Sequence, residues 1–317
     1  MGTPFLWLIF NVFVLAAIAL DLSVFHRRPH KMAVREALAW TSVLLALTVV
    51  FGLGIAHFAG RQRGLEFFTG YVIEQALSVD NLFLFLVIFR AFGVDESVQH
   101  RVLEWGILGA LVARGVMILA GAELISNFAW VLYVLGGFLV IAGVHMFFAN
   151  KEKMHPESNW ITRLVSRHLR VTSEYRGTKF FVRETGAPEE SGAAPKAAKL
   201  FATPLFVVLV VVEITDITLA VDSIPAIFGI TRDPFVVYTS NVFAILGLRA
   251  MYFLLAGALG RLRFLHAGLS FVLMFIGGKM LAEPWVRIST ELSLGIVGGL
   301  LVVALAASVI APAKARQ

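Results

Sequence analysis

The 317-residue chain contains no cysteine, and only 15% of its residues are charged. The absence of cysteine excludes disulfides, thiolate metal sites, iron–sulfur clusters and a cysteine nucleophile. A typical soluble domain has about 25% charged residues, so the low charge argues against an ordinary soluble protein. Disorder is excluded as well, because a disordered chain needs low hydrophobicity and high charge. There is no nucleotide-binding motif, which excludes ATP hydrolysis by this chain as an energy source.

Apolar sequence dominates the chain, with 58% hydrophobic residues and a mean hydropathy of +0.82. A membrane-spanning helix needs about 20 mostly apolar residues. The first apolar stretch has no charged segment before it and no small-residue cleavage site after it, which favours a retained helix over a signal peptide. We predict an all-α polytopic membrane protein with nine transmembrane helices: 4–25, 38–59, 66–89, 102–120, 124–148, 203–228, 235–257, 264–283 and 292–311.

The basic residues predict how this bundle sits in the membrane. Of the 27 lysines and arginines, 20 fall in segments on one side of the predicted helices and four on the other. Because basic loops stay in the cytoplasm, the N-terminus is expected outside and the C-terminus inside the cell inner membrane. The net charge of +6 is therefore assigned to the membrane surface, and no nucleic-acid partner is expected.

The segment 149–202 is the sizeable polar stretch of the chain and is predicted to be a cytoplasmic loop. Its basic amphipathic piece at 160–170 fits a helix lying on the anionic inner leaflet. A regulatory or partner-docking role is the alternative for this loop.

Predicted helices 3–5 and 6–8 carry their rare polar residues in matching order. In helices 3 and 6, an acid is followed after five residues by Asp and a small polar residue: Glu74 with Asp80-Asn81, and Asp216 with Asp222-Ser223. The next helices each carry one arginine, and the third pair carries the related segments 143–146 and 277–280. Since the charge distribution orients helices 3 and 6 oppositely, the pattern indicates an inverted 3+3 repeat, typical of secondary transporters.

The repeat divides the chain into five predicted parts. Helices 1–2 occupy 1–65, and repeat A occupies 66–148. The loop occupies 149–202, and repeat B occupies 203–283. Helix 9 and a short cytoplasmic tail occupy 284–317.

Five carboxylates fall inside the predicted spans: Glu74, Asp80, Glu213, Asp216 and Asp222. Each costs roughly 2.5–3.5 kcal/mol or more at the bilayer centre. Protonation, cationic partners or bound cations must offset this cost. The basic residues within the spans can neutralise at most three acids: Arg114, Arg249 and Lys279. Structural ion pairing alone is the alternative to a cation site.

The spacing of the acids gives an expected arrangement by depth. Glu74 and Asp222 are expected at similar depth towards the outer side, Asp80 and Asp216 near the middle, and Glu213 towards the cytoplasm. Glu213 lies one turn from Asp216 on the same helix face. Acids six residues apart lie about 9 Å apart along a helix axis and about 120° apart around it. Either two sites are stacked, or the chain unwinds at residues 79–81 and 221–223, where Pro225 favours a break.

The ligand chemistry available in the spans is that of hard oxygen atoms. Asn81, Ser223 and Thr215 are candidate auxiliary ligands beside the five acids. Oxygen ligands suit Mn²⁺, Mg²⁺ or Ca²⁺ better than Zn²⁺ or Cu⁺. The residues provide no site for an organic cofactor and no catalytic residue, so no enzyme activity is expected.

Several segments resemble the TerC family of integral membrane proteins, in its Alx-like branch. The similar segments are 74–81 (EQALSVDN), 179–184 (KFFVRE), 213–228 (EITDITLAVDSIPAIF), 231–235 (TRDPF) and 240–249 (SNVFAILGLR). The resemblance covers nearly the whole chain. It implies a nine-helix inner-membrane protein related to the LysE exporter superfamily, with the five intramembrane acids handling metal. The residues at 185–199 depart from the family pattern.

The resemblance also implies metal-ion homeostasis, with manganese export as its best-supported activity. On this hypothesis Glu213 captures Mn²⁺, Asp216 and Asp80 hold it, and Glu74 and Asp222 pass it outward, with proton exchange as a natural partner reaction. Arg114 and Arg249 occupy the empty site. The alternative is a membrane protein that does not transport and acts in assembly, tellurite resistance or redox homeostasis. The residues do not specify the oligomeric state.

Overall fold

The computed structural model describes residues 2–25, 34–148, 171–172, 174–184, 199–255, 264–286 and 288–310. The side chains of 21–25, 34, 80, 184, 199 and 255 are outside this description. Most of the predicted loop 149–202, including its amphipathic piece at 160–170, lies outside the described residues, and so does the C-terminal tail after residue 310.

The described residues form a bundle of nine α-helices with one short β-hairpin. The elements in chain order are α1 (Pro4–Phe25), α2 (Val34–Ala59), α3 (Arg61–Ala91), α4 (Glu96–Asn127), α5 (Val131–Phe148), β1 (Phe181–Glu184), β2 (Lys199–Ala202), α6 (Pro204–Phe228), α7 (Pro234–Leu255), α8 (Leu265–Ala282) and α9 (Thr290–Ile310).

Helices α2 to α9 are each long and apolar enough to cross a membrane. The apolar part of α1 covers Pro4–Leu20 and is shorter than these eight helices. Inside lipid, backbone groups must be hydrogen-bonded within the segment, and an α-helix meets that requirement. The membrane-protein class predicted from composition is therefore confirmed, while the count of nine spans stays a prediction.

The break between α4 and α5 differs from the predicted one. Predicted helix 4 ended at residue 120, but α4 continues to Asn127, and the turn falls at residues 128–130. Gly121 lies inside α4, where a Cβ atom would come within 3.1 Å of the Phe228 ring. This glycine therefore serves close packing between helices and does not end the helix.

Helices α3 and α6 are both continuous through the acid motifs. No unwound turn interrupts α3 at residues 79–81 or α6 at residues 221–223, so the predicted unwinding is wrong. Pro225 lies in the last turn of α6, where it removes one hydrogen-bond donor without dividing the helix. Of the two predicted arrangements, stacked acids on unbroken helices is the one that agrees with the fold.

Four helices, α3, α4, α6 and α7, form the centre of the bundle. Helix α3 packs against α6 and α7, and α4 packs against the same two helices. Helix α7 is the most enclosed of the candidate spans, followed by α3. Helix α2 covers α3 and α7, helix α9 covers α3 and α8, and α5 packs along α8. The central helices are therefore the ones that can shield polar side chains from lipid.

Small residues allow α5 and α8 to lie close together. A Cβ atom on Gly277 would come within 2.5 Å of the Gly136 carbonyl oxygen, and one on Gly143 would come within 2.8 Å of the Ser270 carbonyl oxygen. Membrane helices associate through such close backbone contacts, because lipid provides no hydrophobic driving force between them.

The β-hairpin marks one end of the bundle, named here the hairpin end. Strands β1 and β2 pair antiparallel, with Phe181 opposite Ala202. The Tyr175 hydroxyl donates a hydrogen bond of 2.6 Å to the Phe92 carbonyl oxygen, just after the last residue of α3. Burial raises the pKa of Tyr175. The opposite end of the bundle carries the turn at residues 229–233 between α6 and α7.

The Gly277 contact leads to a stability prediction. We expect Gly277→Ala to lower the free energy of unfolding by about 1–3 kcal/mol, because the added methyl group meets a backbone oxygen that cannot move aside. Gly278→Ala is the matched control, since a Cβ atom there meets nothing within 4 Å. Thermal unfolding of the purified protein in detergent measures both variants, and equal midpoints would contradict the close α5–α8 contact.

Candidate functional site

A buried arginine joins two of the predicted acids at the centre of the bundle. The Nε and Nη2 atoms of Arg114 donate hydrogen bonds of 3.2 and 3.0 Å to the two carboxylate oxygens of Asp216. The Nη1 atom of the same guanidinium pairs with Oε1 of Glu74. The exposed fractions are 1% for Arg114, 0% for Glu74 and 3% for Asp216. One cation therefore bridges carboxylates from two different helices.

The bridge lies near the middle of all three helices. Glu74 is residue 14 of the 31 in α3, and Asp216 is residue 13 of the 25 in α6. The predicted depth pairing of Glu74 with Asp222 is wrong, because α3 begins at Arg61 and not at residue 66. The five added residues move Glu74 from the outer part of its helix to the middle.

The charges in this triad do not balance. If both acids are ionised, Glu74, Arg114 and Asp216 together carry a net charge of −1. Glu74 accepts no further hydrogen bond from the described residues. Buried carboxylates without full compensation attract a proton or a second cation. With both acids ionised, the triad therefore favours the uptake of one proton or one further cation.

Glu213 extends the acidic site towards the hairpin end of the bundle. It lies one turn before Asp216 on α6, and both residues line a cavity of about 20 Å³ among α3, α4, α6 and α7. Their predicted common face is thus confirmed. The Glu213 carboxylate lies directly against Gly109 of α4, at a position that a side chain would occupy. The cavity is large enough for about one water molecule.

The other two predicted charge partners lie away from this bridge. Arg249 also lines the small cavity, but its Nη1 atom pairs with Oε1 of Glu104 at 3.3 Å. Glu104 is 4% exposed and also faces Arg101 at 3.6 Å. Lys279 lines a separate polar cavity at the opposite end of the bundle. Of the three predicted charge partners, Arg114 is therefore the one that pairs with members of the five-acid set among the described contacts.

Sequence reasoning missed Glu104, and the reason is a helix boundary. Predicted helix 4 began at residue 102, which placed Glu104 near a span end. In the structure α4 begins at Glu96, so Glu104 is its ninth residue and is buried. The sequence did contain a signal for Glu104. Arg249 lies in a predicted span and needs a buried acidic partner, and Glu104 is an acid on the helix that also carries the buried Arg114.

Asp80 and Asp222 take different places from the bridged acids. Asp80 lies within α3, six residues beyond Glu74, and its side chain is outside the described residues. Asp222 is half-buried on α6, six residues beyond Asp216. Because α3 runs towards the hairpin end and α6 away from it, each aspartate lies about 9 Å from the central bridge, in opposite directions.

The predicted auxiliary ligands divide into two groups. Asn81 and Ser223 are buried, and the Asn81 Nδ2 and Ser223 Oγ atoms have no hydrogen-bond partner among the described residues. Ser78 Oγ, on α3, is in the same condition. Buried polar groups normally have a partner, so these atoms point to unseen water molecules. The two hydroxyl oxygens could also accept a cation, whereas the Asn81 amide nitrogen can only donate a hydrogen bond. The Thr215 hydroxyl instead donates to the Val211 carbonyl oxygen of its own helix at 2.7 Å.

Among the described side chains, no group of three His, Asp or Glu residues is arranged to hold a metal ion. The described carboxylates at the centre are separated by Arg114, which occupies the space between Glu74 and Asp216. Since the Asp80 side chain is outside this description, the five-acid site as a whole stays a prediction.

Comparison with known proteins places this chain in a family. The model of the family described as "Integral membrane protein TerC family" matches residues 59–316. These residues include all the helices that build the central bridge. The chain belongs to the TerC family. No solved structure matches the chain at a significant level.

Individual relatives of this TerC-family chain are similar over almost its full length. A protein of Myxococcus xanthus, "Uncharacterized membrane protein STKORF319", is 46% identical over 98% of the chain and 93% of its own length. "Putative membrane-bound redox modulator Alx" of Escherichia coli K12 is 44% identical over 95% of the chain and 93% of its own length. A membrane protein of Rickettsia bellii is 36% identical over 96% of the chain and 97% of its own length.

The bridge leads to a prediction on the arginine. We expect Arg114→Gln to lower the free energy of unfolding by about 3–5 kcal/mol, because two buried carboxylates lose their shared partner. Adding Glu74→Gln to that variant removes one of the stranded charges and is expected to restore part of the loss. Thermal unfolding in detergent measures the three proteins.

The control for Arg114 is a second bidentate arginine pair at the surface. Arg232 contacts both oxygens of Glu283 at 2.8 and 2.9 Å, but the two side chains are 56% and 51% exposed. Arg232→Gln is expected to cost less than about 1 kcal/mol. Equal losses in the Arg114 and Arg232 variants would contradict an energetically important central bridge.

Proposed function

We propose that this TerC-family protein is a secondary transporter that exports a divalent cation, Mn²⁺ first among the candidates, through the carboxylates at the centre of its bundle. The observation that carries the proposal is the Arg114 guanidinium held between Glu74 and Asp216. A buried cationic side chain between two buried acids occupies the position that a cargo cation would take. Displacing it by a divalent ion would bring the net charge of the two acids and their cation to zero.

The depth of the acids supports a stepwise path. Glu213 and Asp80 lie on the hairpin side of the centre, Glu74 and Asp216 lie at the centre, and Asp222 lies on the far side. With the hairpin end in the cytoplasm, Glu213 would receive the ion and Asp216 and Glu74 would hold it. Asp222 would then pass it outward. This order revises the predicted one, because Glu74 belongs to the middle of the path.

The helix packing supports the proposed inverted repeat. The first helix of each half, α3 or α6, packs against the second helix of the other half, α7 or α4, and the third helices α5 and α8 pack against each other. The contact of Gly143 with Ser270 has a counterpart in the contact of Gly277 with Gly136, as a two-fold exchange of the halves requires. Transporters with inverted repeats bind cargo at the interface between the halves.

The ligand atoms narrow the cargo to a class of ion. Carboxylates, buried hydroxyls and the Asn81 side-chain carbonyl offer hard oxygen ligands, which suit Mn²⁺, Mg²⁺ or Ca²⁺ better than Zn²⁺ or Cu⁺. The choice of Mn²⁺ within this class comes from the family resemblance. Proton exchange is the proposed partner reaction, since carboxylates that lose a cation in a buried site readily take up protons. Export as the direction, and the relation to LysE-type exporters, come from the family resemblance.

A redox role in the membrane is the second candidate, because several relatives carry the description "membrane-bound redox modulator". The chain has no cysteine, so such a role would not use thiol chemistry of its own. On this hypothesis, the working surface would be the segment 149–202. Deleting that segment with the acids intact should then abolish the function, whereas Mn²⁺ transport should largely survive.

The transport proposal is tested by ⁵⁴Mn²⁺ flux in proteoliposomes of the purified chain. Glu213→Gln, Asp216→Asn, Asp80→Asn and Asp222→Asn are expected to lower flux by at least about tenfold, because a charge-assisted ligand contact is worth roughly 1.5–3 kcal/mol. Glu123→Gln is the matched control, since Glu123 is an exposed acid at the end of α4 that hydrogen-bonds to Asn127.

The liposomes contain no other protein, so wild-type flux that requires the buried acids would support transport directly. Equal flux in the wild type and all four acid variants, at equal amounts of folded protein, would contradict it. Competition by unlabelled Mg²⁺, Ca²⁺ and Zn²⁺ in the same liposomes measures the preference for the cargo.

A further inference from the structure

A polar cavity of about 370 Å³ lies at the opposite end of the bundle, away from the hairpin. It is bounded by the start of α3, the turn after α6, the end of α8 and the segment leading into α9. Its charged lining consists of Glu66, Arg232, Lys279 and Glu283. If the hairpin end faces the cytoplasm, this cavity opens to the outside.

Three of these four charges already have specific partners. Glu66 accepts hydrogen bonds from the Thr231 hydroxyl at 2.6 Å and from the Gln62 amide at 3.2 Å. Arg232 and Glu283 form the bidentate pair described above. Lys279 is different: it lines the cavity, half-buried, and makes no hydrogen bond or ion pair with any described residue.

Lys279 shares the cavity with two carboxylates. Glu283 lies one turn after Lys279, at the end of α8, and Glu66 lines the cavity from α3. Opposite charges that line one cavity attract each other. The four charges sum to zero, so removing Lys279 would leave the cavity with a net charge of −1. A flexible lysine stem lets the ammonium group move aside and return.

Close helix packing separates this cavity from the central bridge along α3. Glu66 and Glu74 are eight residues apart on α3, with Gly70 between them. A Cβ atom on Gly70 would come within 2.8 Å of Ser240 Oγ and 3.2 Å of Ile227 Cγ2. Helices α3, α6 and α7 therefore meet closely at the level between the acids and the cavity. An ion leaving Glu74 towards this end would pass Gly70 and arrive beside Glu66 and Lys279.

We propose that Lys279 is a tethered cation in the outer cavity that keeps external divalent cations from binding there, so that an exported ion leaves and does not rebind. The proposal rests on the proposed transport function. The departing ion displaces the ammonium group from the two carboxylates, and the return of the ammonium group releases the ion to the outside. Repulsion between like charges in a partly enclosed cavity supplies the selectivity against re-entry.

The test is inhibition of ⁵⁴Mn²⁺ export by unlabelled Mn²⁺ added on the outer side of proteoliposomes. In Lys279→Gln, the concentration of external Mn²⁺ that halves export is expected to fall by about tenfold, because a positive charge within the cavity is lost. Lys279→Arg keeps the charge and should restore the wild-type value. Arg61→Gln removes a charge at the same end from an exposed side chain that does not line the cavity, and should leave the value unchanged.

The outcomes separate this inference from the proposed function. No flux from folded wild-type protein would overturn transport itself. Wild-type flux, with the same external inhibition in Lys279→Gln and wild type, would overturn the role of Lys279 alone.

Chemical labelling provides a second measurement that needs no variant. Lys279 is the one lysine of the eight outside the segments predicted to be cytoplasmic: 26–35, 149–202 and the C-terminal tail. A membrane-impermeant acetylating reagent applied to intact cells should therefore modify Lys279, as detected by mass spectrometry of its peptide. External Mn²⁺ at millimolar concentration should compete weakly with this acetylation. Absence of acetylation at Lys279 under all conditions would overturn the proposal.

Discussion

The Arg114 bridge is the interaction on which the rest of the centre depends. It places a carboxylate from α3 and a carboxylate from α6 on one guanidinium, in surroundings where none of the three groups reaches water. In such a low-dielectric setting an unpaired charge is costly, so the three helices must keep this register for the bundle to be stable. If both acids are ionised, the same register leaves one negative charge in excess, and the proposed transport uses this charge to attract a cation.

The surrounding helices protect this centre through close glycine contacts. Gly136 and Gly277 bring α5 and α8 together, Gly109 makes room for the Glu213 carboxylate, and Gly70 closes the bundle between the centre and the outer cavity. At each of these glycines, a neighbouring backbone atom or side chain occupies the space that a larger residue would fill. The result is a bundle with a cavity of about 20 Å³ beside the bridge and a larger polar cavity of about 370 Å³ at the opposite end.

Family membership and site chemistry contribute different information. The TerC match and the relatives at 36–46% identity support a membrane protein over nearly the whole length of the chain. The names of several relatives mention a redox role, whereas the buried oxygen atoms and the bridging arginine are the basis of the proposed cation chemistry. Both can be true of one protein, since the supply of a metal ion affects redox balance in a cell. Flux across a purified membrane is the property that separates a direct role from an indirect one.

The sequence by itself determined the class of the protein, the approximate position of eight long apolar helices and the unusual buried polar residues, because a bilayer permits few polar residues and each one stands out. Glu74, Asp216 and Arg114 were identified in this way. Only the tertiary structure decided that these three meet, that Glu104 takes Arg249, and that Lys279 belongs to a separate cavity. Those pairings depend on where α3 and α4 begin, which is five and six residues earlier than hydropathy suggests. Polar residues at a helix end look the same in sequence whether they extend the helix or leave it. A shift of one turn moves an acid by about 5 Å and changes its partner.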